Sequence, residues 1–254
     1  MKQFPKSQSA FRRSDLLGGG VRSHHDQVAR TIGTEILSGT LPPGTKLGEA
    51  EVLARFEISR TVLREAMKTL KAKGFIAAKP RVGTTVLDNS HWNYFDADVL
   101  AWKIDQGLDF GFLSDLAEVR IAIGSAAARA AAVRRSAADI AEMRAHLNAM
   151  RAAGDDVAAF GEADLAFRKT VARASGNALM GSLSGVIETT LAASFQMQRP
   201  QGDAARKADL RAHTELTDAI EGGDGERAAR AMRNIVGEAL ARGGTPGGKI
   251  TARA

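Results

Sequence analysis

The sequence predicts a mainly α protein in two parts: an N-terminal winged helix-turn-helix of three helices and a β-hairpin wing, then an all-α antiparallel helical bundle. Three observations predict it. The surplus positive charge is confined to the first third, where residues 1–88 hold 15 Lys and Arg against 8 Asp and Glu while the remainder holds 20 against 21. Apolar residues recur at helical spacing three times before residue 74, and the stretch FIAAKPRVGTTVL that follows has β-compatible ends around a Pro and Gly centre. Beyond about residue 110 the chain is helical in period and rich in alanine, with no strand pattern and no solenoid repeat.

Each element has a local cause. Residues 1–20 are polar, basic and glycine-rich with no apolar period, which predicts a disordered arm. In the segment 21–88, Val28, Ile32 and Ile36 fall one turn apart, and Gly39 with TLPPG stops that helix. A short second helix over about 49–56 turns Val52, Leu53 and Phe56 inward. A third starts at Ser59, a good N-cap, buries Val62, Leu63, Ala66, Met67 and Leu70, and ends at Gly74. Residues 89–110 read as a linker whose HWNYFDADVLAWKID carries aromatic and aliphatic side chains at helical spacing, a connecting helix. Six helical segments are expected over 111–242, near 113–134, 136–153, 155–175, 177–198, 204–222 and 224–242, before a loose basic tail at 243–254.

Composition narrows the function. The 254 residues are 44% hydrophobic, enough for two modest cores, and contain no cysteine, which excludes disulfide and thiolate-metal frameworks. The basic start lacks the apolar segment of a signal peptide, and no apolar run reaches membrane-spanning length, so the expectation is a soluble cytoplasmic protein without a membrane partner. A small basic module on a near-neutral larger one suggests a polyanion binder coupled to something else.

On the third helix Arg60, Arg64, Lys68 and Lys71 line the side opposite the apolar face. A helix in this position enters the major groove, with its first residues at base edges. An arginine there forms two parallel hydrogen bonds to guanine, and a lysine further along meets phosphate. The plainer alternative is a solvated face with Glu65 in an ion pair.

The stretch GTLPPGTKLGEAEVLARFEISRTVLREAMKTLKAKGFIAAKPRVGTTV resembles the DNA-binding domain of GntR-family bacterial transcription regulators. The resemblance implies DNA contacts from Ser59, Arg60, Thr61 and Arg64, and a wing tip at Lys79, Pro80, Arg81 and Gly83. Ala50 departs from it: many members carry an arginine there, so one phosphate or base contact is missing. The bundle resembles the FCD class of that family in LAEVRIAIGSAAARAAA, EADLAFRKTVARASGNALM and HTELTDAIEGGDGERAARAMRNIV. In that class an Asp and three His often hold a divalent metal that binds a carboxylate effector.

Here Asp164 and His213 match, but Arg168 and Ile235 stand at the other two positions, and two protein ligands would hold zinc or a similar ion weakly. Arg168 offers another anchor, because a guanidinium matches a carboxylate with two hydrogen bonds. Arg120, at a family pocket position, is a second candidate, with Asp164 and His213 completing an effector site. A simple i, i+4 ion pair between Asp164 and Arg168 is the competing interpretation. Asn177 is expected to cap the following helix, and Trp92 and Trp102 to pack the linker onto the bundle. Similar tryptophan-containing linkers occur in FCD regulators of sugar-acid catabolism.

The resemblance therefore implies a homodimeric repressor on a palindromic double-stranded operator, released when a small carboxylate of the sugar-acid class binds the bundle. An effector-independent, architectural DNA binder is the alternative. An enzyme is a distant third, for there is no phosphate-binding loop, nucleophile elbow or zincin motif.

Overall fold

The computed structural model describes residues 23–79, 83–107, 110–194 and 202–243. The arm expected at 1–20 and almost all of the tail expected at 243–254 lie outside them. Ten α-helices and one two-stranded antiparallel sheet are described.

The N-terminal part follows from its caps and apolar stripes. Helix α1 (His24–Leu37) starts on a capping box in which the Ser23 hydroxyl accepts from the Asp26 amide and the Asp26 carboxylate accepts from the Ser23 amide. Helix α2 (Glu49–Phe56) ends where Glu57 turns left-handed, at φ 51°. Helix α3 (Arg60–Ala72) is capped by Ser59, whose hydroxyl accepts from Val62 N at 3.3 Å. Strands β1 (Ile76–Lys79) and β2 (Gly83–Val86) pair antiparallel with Ile76 opposite Val86 and Lys79 opposite Gly83, which makes the wing. Ile32, Ile36, Leu63, Leu70 and Phe75 form the centre of this core. Gly74, at φ +79°, is fixed by the linker, since a Cβ there would lie 2.0 Å from the carbonyl oxygen of His91.

The linker departs from the expected continuous helix. It is a 3-10 turn at Asn89–His91, a bent segment, and then α4 (Ala97–Asp105). Side chains claim the main-chain groups that a longer helix would need: the Trp92 indole donates to Leu87 O, Asn93 Oδ1 accepts from Phe95 N, and Asp96 caps α4 by accepting from Asp98 N and Val99 N. The tryptophans also pack elsewhere than expected. Trp102 is buried in the N-terminal core with Val99, stacked on Phe75, and Trp92 meets Phe75 edge-on, so both hold the linker to the winged domain rather than to the bundle. Gly33 makes this approach possible, because a Cβ on α1 would stand 2.4 Å from the Trp102 ring. The opposite face of α4 serves the bundle: Leu100 and Ile104 cluster with Leu116 and Ile187. Helix α4 is thus shared between two cores, each anchoring residue contributing on the order of 1.5–3 kcal/mol.

The bundle comprises α5 (Phe110–Arg134), α6 (Ala137–Ala152), α7 (Val157–Ala174), α8 (Ala178–Ser194), α9 (Asp203–Glu221) and α10 (Gly225–Gly243). Alanines buried on α5 (Ala128, Ala131, Ala132) and on α10 (Ala228, Ala231) let these two helices pack along their length. Met143, Met150, Phe167, Leu216, Ile220 and Ile235 fill the interior. Asn177 caps α8, accepting from Leu179 N at 3.0 Å and Met180 N at 3.2 Å. No described helix is long and apolar enough to cross a membrane.

Candidate functional sites: a cationic helix face and a buried charge cluster

The first site is the outer face of α3. Burial of Leu63, Ala66 and Leu70 turns Arg60, Thr61, Arg64, Lys68 and Lys71 outward, and Arg64 and Lys68 each leave 78% of the side chain in solvent. Glu65 stands between the last two, but at 3.6 Å from Arg64 and 3.8 Å from Lys68 it makes only loose contacts. Exposed pairs of this kind are worth about 0–1 kcal/mol, too little to hold either cation away from a polyanion. Ser59 is exposed at the head of the helix with its hydroxyl spent on the cap. At the wing, Gly83 is exposed and left-handed at φ +92°. Lys79 is paired opposite it in the backbone, while Pro80 and Arg81 lie outside the described residues.

The second site lies inside the bundle. Asp164 and Arg168, one turn apart on α7, form the expected ion pair, with Arg168 Nε donating to Asp164 Oδ1 at 2.9 Å. The same oxygen meets His213 Nε2 of α9 at 2.9 Å. His213 Nδ1 lies 2.8 Å from the carbonyl oxygen of Asp209 and 3.5 Å from its carboxylate. Both partners of the ring accept, so both ring nitrogens carry protons and the fully buried imidazole is an imidazolium. Burial alone would depress its pKa; the hydrogen bond to Asp164 and the charges of Asp164 and Asp209 outweigh burial and raise it. Asp164 is correspondingly held far below the carboxylate range: burial opposes this, but Arg168 and His213 prevail.

Arg120 on α5 does not present a free guanidinium. Its Nε and Nη2 donate to the two carboxylate oxygens of Glu188 on α8, each at 2.9 Å. Glu188 also lies 3.8 Å from Arg168 Nε, and against the effect of burial these two arginines keep its pKa low. The Nη1 of Arg168 is buried with no hydrogen-bond partner among the described residues. Arg168 also helps to line a cavity of about 30 Å³, in which Arg120, Arg168 and Glu188 stand in a mostly apolar wall that includes Ile123, Val171 and Met232. That is room for about one water molecule.

A divalent metal does not fit this donor set. The Asp164 oxygen that meets His213 already accepts from the Arg168 guanidinium, and Ile235, at the remaining family position, is an apolar side chain 1% exposed. Among the described residues no group of three or more metal-ligating side chains converges.

The structure brings Asp164, Arg168 and His213 into direct contact and joins Arg120 to them through Glu188. Sequence reasoning missed Glu188 and Asp209. Asp209 could have been found from its i, i+4 spacing to His213, and Glu188 as the lone charged residue of α8.

Comparison with known proteins agrees with the two-part architecture. Residues 24–86 match the family of bacterial regulatory proteins of the gntR family, and residues 115–238 match the FCD domain. The chain is 34% identical over 218 residues to the galactonate operon transcriptional repressor of Escherichia coli (strain K12), covering 85% of this chain and 95% of the relative. It is 29% identical over 205 residues to the HTH-type transcriptional regulator LutR of Bacillus subtilis (strain 168), covering 78% and 90%. A solved structure of Lar, a protein that controls the Listeria monocytogenes agr system, shares the fold at a TM-score of 0.58 and 17% identity, covering 88% of this chain and 98% of that one. With a winged helix-turn-helix, an FCD bundle and relatives named as transcriptional regulators along nearly its whole length, the chain belongs to the GntR family of bacterial transcriptional regulators, and not to an enzyme family.

Proposed function

We propose that the protein is a homodimeric repressor of a sugar-acid operon, released from a palindromic operator when a small hydroxylated carboxylate binds the bundle. In this reading α3 lies in the major groove, Arg60, Thr61 and Arg64 read base edges, and Lys68 meets phosphate together with the wing residues Lys79, Arg81 and Gly83. One recognition helix per chain calls for two copies on two half-sites. The carboxylate binds against Arg168 and Arg120, with Asp164 and His213 holding Arg168 in place.

What supports the effector half is that Arg168, which helps to line a small cavity, keeps a buried Nη1 with no hydrogen-bond partner among the described residues. A guanidinium nitrogen is costly to bury without an acceptor, and an incoming carboxylate supplies one. The galactonate operon repressor among the relatives favours an aldonate. An effector-independent DNA binder would have no need of charged groups here; Arg120, Arg168 and Glu188 stand in an otherwise mostly apolar wall.

Two measurements test the reading. A mobility-shift assay on the DNA upstream of the protein's own gene should show binding to an inverted repeat; failure to bind any such repeat at low salt overturns it. Thermal denaturation with galactonate, gluconate and uronates should show a midpoint rising with concentration for one of them, since a ligand at about 100 times its Kd stabilises the folded state by about 2.7 kcal/mol. Arg168→Lys, which keeps the charge but removes the fork, should lose that rise while still binding operator. DNA binding indifferent to every acid would favour the effector-independent dimer.

A further inference from the structure

We propose that Glu188 is a built-in competitor for the effector: it fills the two-pronged slot of Arg120, a ligand carboxylate enters by displacing it, and its release is what α8 passes to the linker. The inference rests on the effector reading above and names the residue that the ligand must dislodge.

Charge balance leads to it. In the ion pairs among the described residues, Arg120, Arg168 and the His213 imidazolium face Asp164, Glu188 and Asp209, three positive groups against three negative inside the bundle. A fourth anion entering this low-dielectric space would leave one negative charge in excess, which is strongly unfavourable unless a resident carboxylate departs. Asp164 is held by two donors at 2.9 Å, one of them on a different helix. Asp209 is almost wholly buried beneath His213. Among the described residues Glu188 takes its hydrogen bonds, two of them, from Arg120 alone, its contact with Arg168 being 3.8 Å, and it already lines the cavity. It is the carboxylate that leaves most readily. Its departure also supplies space, because the cavity beside it holds about one water molecule and a sugar acid needs far more.

The position of Glu188 gives its release a consequence. The preceding residue, Ile187, is 1% exposed and packs with Leu100 and Ile104 of α4, the helix whose other face is built into the winged domain. Glu188 and Ile187 are consecutive on α8, so a shift of the α8 backbone that accompanies the release of Glu188 is felt at the contact with α4. A ligand that bound beside an intact Arg120–Glu188 pair would leave this contact undisturbed.

The test uses the full chain as wild type, Glu188→Gln and Glu188→Ala. Sodium acetate, compared with sodium chloride at equal ionic strength, should raise the melting temperature of Glu188→Ala and leave wild type unchanged, because only the variant has an empty carboxylate slot. Galactonate, or whichever sugar acid stabilises wild type, should bind Glu188→Gln at least tenfold more tightly. Equal acetate effects on wild type and variant, or a sugar-acid affinity unchanged or weakened in Glu188→Gln, overturn the proposal. Acetate rescue with no response to any sugar acid sinks the sugar-acid reading and still supports Glu188 as the occupant of the slot. Should the variants fold poorly, hydrogen exchange of wild type decides: the sugar acid should speed exchange over residues 184–194 if Glu188 is expelled, and slower exchange there overturns the proposal.

Discussion

His213 is a histidine whose charge is fixed by what surrounds it. A carboxylate on one ring nitrogen and a carbonyl on the other accept two hydrogens, so the ring holds its second proton more tightly inside the bundle than in water. Because its folded pKa lies above the ordinary value of about 6.5, its contribution to stability is complete below that pH and is lost as pH rises through the raised value. Asp164 and Glu188 have folded pKa values below the ordinary carboxylate range, so their contribution is present above about 4 and lost as pH falls. Urea unfolding should therefore show greatest stability between about pH 4.5 and 6.5 and a decline on the alkaline side, and His213→Gln should flatten that decline. Asp164→Ala should be far more damaging, about 3–5 kcal/mol in the same assay, because among the described residues it leaves Arg168 as a buried charge whose remaining ion pair, with Glu188, is long at 3.8 Å. Asp164 and His213 were legible through the resemblance of their stretches to the FCD class, and Arg168 through its place one turn after Asp164. Glu188 was not, since its partner Arg120 lies 68 residues away and only the packing of α5 against α8 brings them together.

Among the elements, α3 is the one whose role the sequence made plainest. Its apolar residues recur at three and four positions, so the cations have only one face left, and the folded helix exposes them there. If α3 reads bases, Arg60→Ala or Arg64→Ala should cost about 1–3 kcal/mol in operator affinity and relax preference at one base pair. Lys68→Ala should instead weaken binding evenly across sequences and lower the slope of log K against log salt by about one. Affinity titrations on operator and on random DNA at several salt concentrations separate the two outcomes, and a uniform loss in the arginine variants would remove base reading from α3. The six bundle helices were legible for the same reason of period, with ends set by caps such as Ser136, Asp156 and Asn177. The linker was not. Its aromatic residues have helical spacing, but Trp92, Asn93 and Asp96 bond to nearby main-chain groups and restrict the helix to Ala97–Asp105.

At the scale of the whole molecule, the two cores are joined through α4, and one charge ties α4 to the end of α3. Lys73, the C-cap of α3, is 7% exposed in its side chain, with its ammonium 2.6 Å from Asp96 and 2.8 Å from Asp98 and over the Trp102 ring at 5.4 Å. Burial would lower its pKa, but the two carboxylates raise it, so the charge persists. A shift of α4 started by Ile187 must then move the end of α3 or break this pair. Lys73→Met keeps the aliphatic stem on Trp102 and leaves Asp96 and Asp98 partly solvated, so the fold should survive with a loss of about 1.5–3 kcal/mol. Effector affinity should be nearly unchanged, because the bundle pocket is untouched, and operator affinity without effector should fall only modestly. The ratio of operator affinities with and without effector should shrink toward one, and the reciprocal ratio of effector affinities with and without operator should shrink by the same factor. Measuring both ratios in wild type and variant decides the matter: an undiminished ratio in Lys73→Met would mean that the signal reaches the DNA by a route other than the α3–α4 contact.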